Sequence, residues 1–112
     1  MSYTYLASPY THDDPEVMEQ RFQAVCRVAA RMMRKGELVF SPIAHTHPIA
    51  VVGELPRSWE FWERYDRAMI SHASKVVVLT LPGWTHSRGV AAEITIATEL
   101  GMAVEYLRAE EA

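Results

Sequence analysis

Asp66 and Glu93 are the residues of this chain whose type and spacing point to chemistry. Asp66 falls on an apolar stripe with Trp62, Met69, Ile70 and Ala73, whereas Glu93 shares a stripe with Val90 and Ala97, and Glu99 occupies another sector of the same helix. A carboxylate buried without partners is unfavourable, so Asp66 is either compensated by Arg57, Arg64 or Arg67 or faces a site that uses a raised pKa. For Glu93 the competing reading is an ordinary solvated helix glutamate. The acids lie on different helices, one leading into the run KVVVLTL and one leaving it. Where two such carboxyls meet, one as nucleophile and the other as acid, they form the arrangement that breaks glycosidic bonds through an oxocarbenium-like state. Tyr5, at the end of the first apolar run, is placed to hold the nucleophile by a hydrogen bond; the alternative is a core tyrosine whose hydroxyl is satisfied elsewhere.

The elements that position these side chains follow from the hydrophobic pattern. KVVVLTL is a β-branched run without alternation, as expected of a strand covered on both faces in a parallel sheet. Pro82, Gly83 and Trp84 stop it, Ser87 is a good N-cap for the next helix, and Gly89 in the first turn lets another group approach the backbone closely. In open α/β sheets ligands gather outside the carboxyl ends of the strands, which is where this order puts Glu93. Upstream, residues 2–7 form a short strand that Ser8, Pro9 and Tyr10 break into a loop. Asp14, Pro15 and Glu16 start a helix whose apolar positions run from Met18 to Met33, and Gly36 ends it. Residues 37–40 read as a second strand, and SPIAHTHPIAVVGELP as a long, apolar, proline-punctuated connection. Ser58 caps a helix from Trp59 to Ala73, and AVEYL is the last strand. The pattern βαβαβαβ predicts a small parallel sheet in a three-layer α/β sandwich, flavodoxin-like or Rossmann-like, with residues 1–112 as one domain.

Composition narrows the partners. A net charge of −3 over 112 residues, with no basic run, argues against a nucleic acid polymer but leaves a free nucleotide open. The single cysteine, Cys26, is expected as a buried thiol. No stretch approaches the ~18 apolar residues of a membrane span, and the N-terminus lacks a positive segment before a long apolar core, so a cytoplasmic protein is expected. His45 and His47 point the same way if their segment is extended, but two imidazoles alone are an incomplete metal ligand set; sugar or base binding is the better expectation. The aromatic cluster Trp59, Phe61, Trp62 and Tyr65 covers more than one helix face, and a subunit interface accounts for the excess.

Taken with their order, YLASPY, YDRAMISHASKVVVL and SRGVAAEITIATELGMAV resemble the nucleoside 2-deoxyribosyltransferase superfamily over the whole chain. The pattern is most similar to the 2′-deoxynucleoside 5′-phosphate N-hydrolases and to small bacterial and phage relatives. The resemblance implies that Glu93 attacks C1′ of a 2′-deoxyribose to give a glycosyl-enzyme, that Asp66 helps the base leave and then assists water or an incoming base, and that Tyr5 is the family's first-strand tyrosine. It places the sugar or phosphate end against Ser8, Ser87 and Gly89, with Pro9, Tyr10, His45 and His47 also on the substrate. It implies no organic cofactor or metal, and a homodimer or larger homo-oligomer. The chain departs from the family at Ser8–Thr11, where relatives carry a glycine-rich loop with an arginine in the phosphate-binding hydrolases, and at the inserted Gly83–His86. A 5′-phosphate is therefore not implied. Two other readings stay open: a ribonucleotide phosphoribohydrolase of the cytokinin-activating type, distantly echoed by Pro82, Gly83, Gly89 and Glu93, and a non-catalytic nucleotide or nucleotide-sugar binding module.

Overall fold

The structure is a computed structural model that describes residues 2–112. Strand β1 spans Thr4–Ala7 and β3 spans Lys75–Leu79; both lie at the centre of a four-stranded parallel sheet, flanked by β2 (Val39–Phe40) and β4 (Val104–Leu107) in the order β2-β1-β3-β4. Their central place explains their composition: every residue of β1 is buried, and β3 is buried beyond Lys75.

Alternation along the pleat separates two apolar cores. Tyr5, Ala7, Val76 and Val78 face a cluster that includes Ile70, Val90 and Ile96 from helices α3 (Trp59–Ser71) and α4 (Arg88–Glu99). Leu6, Val77 and Leu79 face the other way, onto Val25, Val28, Ala29 and Met32 of α1 (Pro15–Arg34). Helices therefore cover both faces, giving the three-layer, flavodoxin-like α/β arrangement expected from the pattern. Among the described residues no helix is long and apolar enough to cross a membrane.

Local signals set the helix starts. The Asp14 carboxylate accepts from the Glu16 N–H at 2.9 Å with Pro15 in the first turn, and Ser87 accepts from the Val90 N–H at 3.2 Å.

The connection after β2 departs from the expected loop. Pro42–Gly53 is a helix, α2, so the second crossover carries two helices rather than one. Its cap is ordinary: Ser41 accepts from the Ala44 N–H at 3.1 Å, and Pro42 occupies the first turn, where a missing N–H is harmless. Two prolines in a polar-poor stretch conceal that helix, because Pro48 lies inside it and its apolar residues are not confined to one face. Smaller corrections concern ends: β2 begins at Val39, α3 stops at Ser71, β3 stops at Leu79, and Trp84–His86 form one 3₁₀ turn.

Candidate active site

Tyr5, Asp66 and Glu93 come together beneath one cavity at the carboxyl edge of the sheet. Tyr5 ends up there because β1 alternation turns it toward α3 and α4; it is fully buried, and its hydroxyl donates to Glu93 Oε2. Glu93 is only 4% exposed and Asp66 8%, each on the buried face of its helix. Burial pushes the Glu93 carboxyl up to about 8, with the Asp66 charge adding to it and the Tyr5 hydrogen bond opposing it. Asp66 is raised to about 7, again by burial first and against the Tyr5 hydroxyl. Tyr5 itself is held well above its ordinary value by burial and then by both acids, so it stays a donor.

No arginine neutralises this pair among the described residues. Arg67 is taken by Glu63 at 3.1 Å and Glu99 at 3.7 Å, Arg64 lines a different cavity, and Arg57 rests on Met18 Sδ at 3.3 Å. Of the two alternatives for Asp66, the structure therefore favours a carboxyl facing a cavity with a raised pKa. Near neutrality the two groups hold one proton, which the higher Glu93 value puts mainly on Glu93; the form with Glu93 ionised, which the Tyr5 O–H favours, and Asp66 protonated is the less populated of the two.

The cavity above them has a volume of about 360 Å³, within the range of small-molecule sites. The loop after β1 contributes Ser8, Tyr10 and Thr11; α2 contributes Pro42, Ile43, Thr46, His47 and Ala50; the start of α3 contributes Arg57 to Glu60 and Trp62; the start of α4 contributes Ser87, Arg88 and Gly89. This is the crevice between β1 and β3 where the strand order reverses, the usual ligand position in such sheets. Ser8 Oγ is buried on the cavity wall without a hydrogen-bond partner among the described residues, and so is available to a ligand. A Cβ at Gly89 would meet only Ser87 Oγ, at 4.0 Å, and the glycine leaves that part of the wall open.

Not every expected residue reaches the cavity. Pro9 is fully buried but is not part of its lining. His45 and His47 do not point the same way, because in a helix residues two apart are turned by roughly 200°. His47 is buried and faces the first cavity; His45 is exposed and lines a second cavity of about 560 Å³ with Ile49, Phe61, Trp62 and Tyr65. Among the described residues no three His, Cys, Asp or Glu side chains converge as metal ligands. The aromatic cluster divides: Trp59 packs on the core and lines the first cavity, Trp62 donates to the Pro56 carbonyl at 2.7 Å, and Phe61 and Tyr65 stay exposed. Cys26 is half-buried rather than buried, and unpaired.

Sequence reasoning missed Thr46, Arg57, Trp59, Trp62 and Arg88 as cavity residues. The signal for the first was the Ser41-Pro42 cap, and for Arg57 and Trp59 it was Ser58, which holds the N-cap position of a helix beginning at the cavity rim although its side chain makes no capping hydrogen bond among the described residues. No curated protein matches this chain. A family model described as a domain of unknown function, DUF1937, matches residues 2–108, and by that match the chain belongs to this family.

Proposed function

We propose that this protein cleaves or transfers the N-glycosidic bond of a nucleoside or nucleotide, with Glu93 as nucleophile and Asp66 as acid and base. The observation that carries the reading is the buried Tyr5–Glu93–Asp66 set beneath a small-molecule cavity. Tyr5 occupies Oε2 of Glu93 and leaves Oε1 for C1′ of the sugar. Attack forms the Glu93–C1′ ester bond as the C1′–N bond breaks, and the Asp66 carboxyl gives its proton to the departing base. The resulting Asp66 carboxylate then takes a proton from water or from an incoming base, which displaces Glu93 from C1′. Ser8, Ser87 and Gly89 bear on the sugar end. The order of Tyr5, Asp66, Ser87, Gly89 and Glu93, similar to that of nucleoside 2-deoxyribosyltransferases, supports the same assignment. Exposed Phe61, Tyr65 and Val52 support association into a homodimer or larger assembly, and we place the protein in the cytoplasm.

Chromatographic detection of free base from a panel of deoxynucleosides, ribonucleosides and their 5′-monophosphates tests this reading. Release is expected from at least one member and is expected to vanish in Glu93→Ala and Glu93→Gln. Undiminished release in folded Glu93→Ala refutes the mechanism. Saturable binding without release from any substrate moves the assignment to a binding module, and cleavage of ribonucleoside monophosphates alone moves it to a phosphoribohydrolase.

A further inference from the structure

The reaction proposed above leaves one buried titratable group of the cavity unused. His47 on α2 is 9% exposed, and both of its ring nitrogens are engaged: Nδ1 lies 2.5 Å from the Tyr10 hydroxyl and Nε2 lies 3.1 Å from Glu19 Oε1 of α1. The Phe22 ring packs against the imidazole at 4.3 Å between centroids. His47 thus has no nitrogen left for a ligand. Its partner Tyr10 lines the cavity and still has acceptor capacity on its oxygen.

We infer that Tyr10 is a specificity-determining residue whose hydroxyl the Glu19–His47 pair fixes as a hydrogen-bond acceptor toward the ligand, so that the cavity selects nucleosides whose base presents an amino group. The direction follows from the chemistry of the chain of bonds. An ionised carboxylate only accepts, so Glu19 requires the proton on His47 Nε2. In the neutral imidazole this leaves Nδ1 unprotonated, and it must receive the Tyr10 O–H. Tyr10 has then spent its only donor on the protein and offers lone pairs to the cavity. Hydrogen bonds from Gln23 first and His47 second keep Glu19 below its ordinary value, and burial holds Tyr10 above its own, against the Arg57 charge and with Glu19 adding to it; each group keeps the form this direction needs.

The inference rests on the glycosidase reading for the orientation of the ligand. With the sugar against Ser8, Ser87 and Gly89, the flat base lies toward α2, where Pro42, Ile43 and Ala50 are apolar and where His47 holds the Tyr10 hydroxyl. A base whose 4- or 6-position is an amine donates to that oxygen; a base with a carbonyl there sets two acceptors against each other.

Two measurements test it. Long-range ¹H–¹⁵N spectra at pH 8 should show His47 as the Nε2–H tautomer, with mixed tautomers in Glu19→Ala and the wild-type pattern kept in Glu19→Gln, whose amide oxygen still accepts. A wild-type Nδ1–H tautomer overturns the proposal. Binding and base release are then compared for deoxyadenosine against deoxyinosine and for deoxycytidine against deoxyuridine. A preference of about tenfold or more for each amino form is expected, lost in Tyr10→Phe, reduced in Glu19→Ala and kept in Glu19→Gln. Equal use of amino and oxo forms, or a preference that survives in Tyr10→Phe, overturns the proposal while leaving base release by Glu93 intact. Failure of every nucleoside to bind or react removes the glycosidase reading and this selectivity with it.

Discussion

A carboxyl that loses water without gaining a cation keeps its proton to higher pH, and two such carboxyls close enough for one to feel the other's charge give up their protons in separate steps. Glu93 and Asp66 meet both conditions, since burial raises them to about 8 and about 7. Only the singly protonated pair with its proton on Asp66 offers nucleophile and acid together, and its share of the protein peaks where the pair holds one proton, so base release should follow a bell-shaped pH profile with its maximum between about 7 and 8. The acid limb reports a pair that has gained its second proton, and the alkaline limb a pair that has lost both. Asp66→Asn should lower kcat about 10²–10⁴-fold and abolish the alkaline limb, because the amide cannot supply the proton. A profile for Asp66→Asn that keeps its alkaline limb would reassign the acid to another group. At this scale the sequence was informative where burial and polarity conflict: an acid on an apolar stripe is visible from spacing alone. His45 and His47 were not, because a two-residue spacing means the same side in a strand and nearly opposite sides in a helix.

The walls of the cavity depend on elements held at their ends. Arg21 of α1 donates to the carbonyls of Tyr10 at 3.3 Å, Thr11 at 3.1 Å and Pro82 at 3.3 Å, tying the loop after β1 to the loop after β3. Gly83 makes that clamp possible twice over. Its φ of +89° is unfavourable for residues with a Cβ, and a Cβ there would lie 2.7 Å from Arg21 Nη2. Gly83→Ala should therefore cost roughly 1–2 kcal/mol in urea unfolding from backbone strain and, in addition, the Arg21 hydrogen bonds that the new Cβ displaces, with weaker ligand binding as the two loops separate. In an Arg21→Ala background the loss should be smaller, since the steric part is gone and only the backbone part remains. Equal losses in both backgrounds would mean that the Arg21 contact contributes nothing. The α2 roof is the element least legible in the sequence. Its apolar residues lie on several sides because it is covered by α1 and β1 on one side and lines cavities on others, so periodicity carried little information.

For the whole molecule, the buried acids couple folding to pH. Their folded-state values of about 8 and about 7 lie above the ordinary 4.5 and 3.8, so between these limits the folded chain binds more protons than the unfolded one. Their contribution to stability is complete below about pH 4 and is lost as pH rises, levelling off above about 8. Thermal unfolding should therefore occur at a lower temperature at pH 9 than at pH 5, with most of the fall below about pH 8. Glu93→Gln, which remains neutral throughout, should flatten this dependence and unfold later than wild type at pH 9. A flat wild-type profile would show that neither acid is buried in solution. The lowered carboxyls Glu19, Glu60 and Glu111 act in the opposite direction, but they titrate at the acid end and are screened by solvent. A Cα radius of gyration of 13.0 Å matches the ~13 Å of a compact domain of about this length.

Legible in the sequence were the alternation of strands and helices, the parallel sheet it requires, and the apolar stripes on which Asp66 and Glu93 stand. Each is a local matter of periodicity, capping or an acid among apolar neighbours, and local interactions are written in consecutive residues. Folding in three dimensions was needed to bring Tyr5 onto Glu93, to join Glu19, His47 and Tyr10 in one chain of hydrogen bonds, and to leave Ser8 Oγ without a hydrogen-bonding partner and Asp66 without an arginine partner among the described residues. Those facts depend on which helix ends and loops converge at the crevice between β1 and β3. Their members lie from two to 88 positions apart, as in Ser8 and Tyr10 or Tyr5 and Glu93, and no spacing rule spans that range.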